Sequence, residues 1–191
     1  MMALIWKPLL LRALIAAVFG ALTIFWQEPS ALVMGGSGAF YLIGTGVAMY
    51  WLRDRLRQSA GSSGDALTLN LLRSAGIALA VGGVLIVIFP TPEIFSIVVT
   101  IALLPAGAVE IFLGLRHRRT TVIGRDWLIT GVVNAATGLI LPAVPLFAVL
   151  EPHALLGVLG GSAIITAVVL LLAALGYRHE AQSARPVHHR P

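Results

Sequence analysis

The sequence predicts an all-α integral membrane protein with six transmembrane helices. They are expected as three parallel helical-hairpin repeats with both termini on the cytoplasmic side. Three observations carry this expectation. Of 191 residues, 58% are hydrophobic and 11% charged, with a mean hydropathy of +0.94. A soluble domain is about 45–50% apolar and about 25% charged, and a core of this size could not hide the excess. Six windows of roughly 20 apolar residues follow one another along the chain, each long enough to span hydrocarbon as a helix. The basic residues also fall in alternate connections only. A water-soluble domain and a disordered chain are excluded, and the absence of cysteine excludes a disulfide scaffold.

The first window covers residues 8–26 and holds Arg12 near its start. It has the general plan of a signal peptide, but Phe25-Trp26-Gln27-Glu28 offers no small-x-small cleavage site, so it is expected to remain as the first span. Gln27-Glu28-Pro29-Ser30 makes a short turn into the second window, 31–51, which carries no charge. Residues 52–68 contain Arg53, Arg55, Arg57 and a run of Ser and Gly, and are expected as a cytoplasmic linker loop. The third window, 69–89, holds Arg73, and Pro90-Thr91-Pro92-Glu93 turns into the fourth, 94–115, which holds Glu110. A second basic stop follows, then the fifth window, 127–150, the turn Glu151-Pro152-His153 and the sixth window, 154–176. One membrane domain is expected over 1–179, with hairpins at about 8–51, 69–115 and 127–176, and a disordered tail over 180–191.

Topology follows from charge. The three short turns contain no Lys or Arg and one Glu each, while all 13 basic residues fall on the opposite side. The positive-inside rule makes that side cytoplasmic. Counting Arg12 with it, the inner side carries a net of +9 against Asp54, Asp65, Asp126 and Glu180, and the outer side −3 from Glu28, Glu93 and Glu151. Charge spread along juxtamembrane edges points to anionic inner-leaflet lipid rather than nucleic acid. Trp6, Trp26, Trp51 and Trp127 fall at window ends, where interfacial anchors belong.

The chain also repeats. A shift of 63 positions brings Gly20 onto Gly83, Pro29 onto Pro92, Gly44 onto Gly107 and Leu52-Arg53-Asp54-Arg55 onto Leu115-Arg116-His117-Arg118. A weaker third copy sets Gly114-Leu115-Arg116-His117 against Gly176-Tyr177-Arg178-His179. Each unit has two spans, so the copies share one orientation, unlike inverted transporter repeats. With the segment Pro105-Ala106-Gly107-Ala108-Val109-Glu110-Ile111-Phe112, this plan resembles the HdeD family of small six-helix bacterial inner-membrane proteins associated with acid resistance. The resemblance implies a fold and a physiological association, and no catalytic or ligand-binding residues. The loop 52–68 and the Pro142/Pro145 pair depart from the family plan.

Glu110 is the candidate intramembrane site, for pairing or for proton or ion handling, because charge inside a span is costly and needs a reason. It precedes Arg116 by six residues, about 9 Å of helix rise, so pairing toward the inner headgroups is one expectation. Pro105 is expected to kink the same helix. Glu28, Glu93, Glu151 and His153 form a candidate external pH-responsive set, since carboxylates lose charge below about pH 4 and imidazole gains it near 6.5. Ordinary turn chemistry is the plainer account of the same residues. Gly157-x-x-x-Gly161 and the Gly131/Ala135/Gly138 face are candidate helix-packing surfaces, expected inside the bundle or between subunits.

No P-loop, dinucleotide fingerprint or nucleophile elbow occurs, and no His/Asp/Glu spacing suits a metal. The expectation is a non-enzymatic membrane protein without cofactor, in acid or envelope stress tolerance. The alternatives are an accessory subunit of a larger membrane complex, or a small proton, ion or solute transporter using Glu110. A homo-oligomer remains open.

Overall fold

At one end of the molecule, proline-containing turns separate the helices, and side chains there satisfy the first free amides of the helix that follows. Thr91 accepts from the amide of Ile94 at 3.4 Å, with Pro92 in the first turn and Glu93 beside the positive helix end. Ser30 accepts from Val33 at 3.3 Å in the same way. The computed structural model describes residues 2–60 and 65–183. The helices are α1 (Met2–Phe25), α2 (Ala31–Ala60), α3 (Ala66–Ile88), α4 (Pro92–His117), α5 (Ile123–Ile140) and α6 (Pro152–Ser183). No strand occurs among the described residues. Among the described residues, six segments are long and apolar enough to cross a membrane, the fifth including a 3-10 segment at Leu141–Leu146. The chain has the make-up of a multi-pass membrane protein.

Several boundaries differ from the sequence reading. α2 continues nine residues past Trp51, so most of the expected linker is helical, apart from 61–64, which lie outside the described residues. Leu52 and Leu56, one turn apart, keep one face of this extension against the core while Arg, Asp and Gln line the others. Likewise α6 runs to Ser183, through the first residues of the expected tail; 184–191 lie outside the described residues. α4 continues through Pro105. Pro142 and Pro145 cannot donate backbone hydrogen bonds, and the chain there tightens into the 3-10 segment.

Each helix packs against its neighbours in the chain, and α6 returns to α1, closing a ring. The closest pairs are α1/α6, α4/α5 and α2/α3; the pairs joined by the proline turns, α1/α2, α3/α4 and α5/α6, are looser. Missing side chains explain this. A Cβ on Gly46 would lie 2.5 Å from the carbonyl oxygen of Gly76, and one on Gly76 would lie 2.9 Å from that of Gly46. On the α4/α5 seam a Cβ on Gly107 would meet the Gly131 carbonyl at 2.8 Å, and one on Gly114 the Leu128 nitrogen at 2.7 Å. Outside and inside are both apolar, with Ile101, Leu139 and Leu172 each more than 60% exposed. Close backbone approach therefore distinguishes a seam from a lipid-facing surface here, as expected where hydrocarbon removes the hydrophobic drive between helices. In the interior Phe19 stacks on Tyr41 with ring centroids 4.8 Å apart.

The tryptophans divide. Trp6, Trp26 and Trp51 keep exposed or half-buried positions, with Arg55 over Trp51 and both Lys7 and Arg178 over Trp6. The Arg178 contact brings the two ends of the chain's helical region together. Trp127, expected as an anchor, is instead buried and meets the His117 ring edge-on at 5.9 Å.

Candidate functional site

The most polar place inside the ring is built from three helices, one from each of the three turn-linked pairs. Arg12 of α1 donates through Nη1 to Glu110 Oε1 of α4, and Asn134 Nδ2 of α5 donates to Glu110 Oε2 at 2.7 Å. Glu110 is wholly buried and Arg12 nearly so, at 5% exposure. Both carboxylate oxygens are thus engaged, one by a cation and one by an amide. Tyr41 of α2 lies close enough to interact electrostatically with both members of the pair. Arg12 Nε and Nη2 and the hydroxyl of Thr45 are buried without a hydrogen-bond partner among the described residues.

Local sequence makes this meeting possible. Glycine at 131 lets α5 lie so close to α4 that a Cβ there would meet Glu110 Cβ at 2.9 Å. Asn134, three residues on and so on the same helix face, then reaches the carboxylate. Gly138 continues the seam against Leu104. Gly131 and Gly138 therefore position the polar centre as well as the helices.

Two expectations about charge are corrected. Glu110 does not turn toward Arg116, whose guanidinium instead pairs with Asp65 at 3.3 Å. Arg12 does not belong to the basic edge; it sits ten residues into α1 and inside the bundle. Sequence reasoning did not single out Arg12 as a partner, although a signal was present. It is an arginine with Leu9-Leu10-Leu11 before it and Ala13-Leu14-Ile15 after it. A cation so placed needs an anion within the bundle, and Glu110 is the one carboxylate well inside a span. Asn134 carried a weaker signal, being one of few amides in the spans.

The outer set is brought together in part. Glu28, Glu151 and His153 line one shallow depression of about 440 Å³ with Gln27, Pro29, Ser30 and Pro152, so the first and third turns are neighbours. Glu93 is not among its walls and stands in the first turn of α4. Gly157 and Gly161 do not occupy an interior seam: both face outward, with nothing within 4 Å of an added Cβ. The glycine of that helix in an interior seam is Gly160, which abuts Thr23 of α1. The register is the reason, because one residue along a helix is a turn of about 100°.

At the basic end, Asp65 caps α3 and collects several donors: Leu67 N at 3.2 Å, Thr68 Oγ1 at 2.7 Å, Arg116 Nη2 at 3.3 Å, with His117 Nε2 at 3.8 Å. The Thr68 hydroxyl above all holds its carboxyl below the usual aspartate range; burial opposes it, and the Arg116 guanidinium adds a lesser pull downward. Asp126 in the first turn of α5 accepts from the hydroxyl of Tyr177 in α6.

The family described as a short repeat of unknown function (DUF308) matches residues 74–143. The matched stretch runs from α3 through the whole of α4 and α5, and so includes Glu110, Asn134 and the glycines of the α4/α5 seam. No curated protein and no solved structure matches the chain.

Proposed function

We propose that this chain is a non-enzymatic, multi-pass protein of the bacterial inner membrane, of the HdeD kind, acting in acid or envelope stress tolerance. In this reading both termini are cytoplasmic and the three turn-linked helix pairs are parallel copies of one hairpin. The repeat matched over residues 74–143 supports it, being the domain type of HdeD-like membrane proteins. The observation that carries it is the separation of two kinds of charge. Glu110 is enclosed and doubly bonded, so outside acid has no direct access to the group that ties the helices together. Glu28, Glu151 and His153 gather at the end that carries the proline turns, the end this reading places outward, where protons arrive first. In this reading the acidic turns are the surface that meets external acid, and the enclosed pair holds the helices together beneath it.

Survival of a deletion strain after acid shock tests this. The native gene should restore survival, and the variant Glu28→Gln/Glu151→Gln/His153→Gln should not, at equal membrane level. Unchanged survival on deletion would overturn the acid role and leave the membrane protein without it.

A second reading, as an accessory subunit or a homo-oligomer, is favoured by the outward Gly161. It lies in a groove between α5 and α6 with Val133, Ala136, Val158 and Ser162, along the looser of the two seams that α5 makes. Co-purification at fixed stoichiometry in mild detergent, lost on Gly161→Leu, supports this reading. The transporter reading has less behind it, because Glu110 is held by Arg12 and Asn134. Proton flux in liposomes that disappears on Glu110→Gln would restore it.

A further inference from the structure

We propose that Arg118, Arg119 and Arg125 form a docking site for the headgroup of one anionic phospholipid. The three side chains line a single depression of about 470 Å³ where α4 turns into α5, and Leu128 and Ile129 form its remaining wall. Among the described residues none of the three has a carboxylate at ion-pair distance, whereas Arg12, Arg53 and Arg116 each have one. Asp126, the nearest acid in sequence, is taken by Tyr177.

The backbone beneath the arginines is stiff. Arg118 N donates to Gly114 O at 2.8 Å, and Thr120 N and Thr121 N both donate to His117 O, at 3.0 and 2.9 Å. Gly114 and Gly124 hold the two helix ends in direct backbone contact. Val122, which precedes α5, makes no side-chain cap bond, and the acid in the first turn, Asp126, is engaged by Tyr177. Guanidinium groups match phosphate oxygens as paired donors, and basic pockets at the membrane edge take anionic headgroups. The apolar wall selects the source. Ile129 is exposed, as are Leu115 and Val122 nearby, so the depression opens onto the same apolar surface that faces acyl chains. A phosphate that brings its own chains fits both halves of the site.

This inference rests on the reading that the basic end lies at a lipid headgroup layer. The test uses the full chain, purified in an uncharged detergent and titrated with phosphatidylglycerol or phosphatidylcholine, with bound lipid counted by native mass spectrometry. The native protein should retain one phosphatidylglycerol in preference to phosphatidylcholine. Arg118→Gln/Arg119→Gln/Arg125→Gln should weaken that retention on the order of a hundredfold, at about a factor of five per arginine near an anionic surface. Arg55→Gln/Arg57→Gln, at the other basic stop, should leave it within about twofold. If the triple variant fails to fold, Arg119→Gln and Arg125→Gln are read singly for about fivefold losses. Equal retention by native and triple variant would overturn the site, and so would an equal loss from the control pair, which would mean diffuse attraction by the basic rim. Displacement by equimolar inorganic phosphate would assign the arginines to free phosphate and overturn the lipid. A chain that fails to enter detergent or bilayers at all would sink the membrane reading, an outcome distinct from any of these.

Discussion

Arg12–Glu110 and Arg116–Asp65 are both arginine–carboxylate pairs that tie α4 to another helix, yet they sit in opposite surroundings. In the first, neither side chain is more than 6% exposed; in the second, the side chains are 46% and 34% exposed. Water competes for the members of the outer pair and screens their attraction, so it holds little. No water replaces a lost partner in the inner pair. There the cost lies less in losing the attraction than in stranding a charge. The same chemistry is thus structural in one place and marginal in the other, and burial alone makes the difference.

Breaking the inner pair should have the largest effect. Glu110→Leu leaves Arg12 buried and unpaired, and should destabilise the protein by about 3–5 kcal/mol. Arg12→Leu/Glu110→Leu removes both charges and should recover most of that loss. Thermal unfolding in detergent checks both; a double variant as unstable as the single one would mean that the pair contributes more than its own neutralisation. Glycine substitutions extend the contrast between inside and outside. Gly46→Ala forces a Cβ against the backbone of Gly76 and should cost about 1–3 kcal/mol, as overpacking does. Gly161→Ala meets nothing and should be neutral, or stabilising by up to about 1 kcal/mol through helix propensity. Equal effects at the two positions would contradict the assignment of seam and outer face.

The smallest effect belongs to the outer pair. Asp65→Asn keeps a good helix cap while removing the charge, and should cost no more than about 1 kcal/mol at neutral pH. Its pH dependence has a definite sign. The folded carboxyl lies below the ordinary aspartate value of about 3.9, so its contribution is complete above that value and is lost as pH falls through the lower folded one. Native and variant stabilities should therefore converge in acid; a difference that stayed constant down to pH 2 would mean that the Thr68 and Leu67 hydrogen bonds, not the charge, carry it.

Much of the fold was legible because hydrocarbon imposes a simple rule of length and polarity. All six spans were found within a few residues at most ends, and the proline turns lie where the windows stop. The larger misses were local. Helix propensity and the Leu52/Leu56 face carried α2 on where glycine and serine ahead suggested a loop. The candidate site was half legible. Glu110 stands out in one dimension as a carboxylate inside an apolar run, but Arg12 is 98 residues away and Asn134 is 24. Elimination could pair Arg12 with Glu110, the one carboxylate well inside a span, but no spacing joins either to Asn134.

The sequence by itself therefore determined how many spans the chain forms, where the proline turns separate them, and which connections carry the positive charge. Each of these depends on properties that act residue by residue along the chain, namely transfer free energy, helix geometry and turn chemistry. Only the tertiary structure decided which helices lie in closest contact, which glycines bear it, and where the charge of Glu110 finds its partner. Those choices depend on rotation about each helix axis. One residue of register separates Gly160 in a seam from Gly161 facing outward, and a ring with apolar surfaces on both sides leaves hydropathy no means of telling them apart.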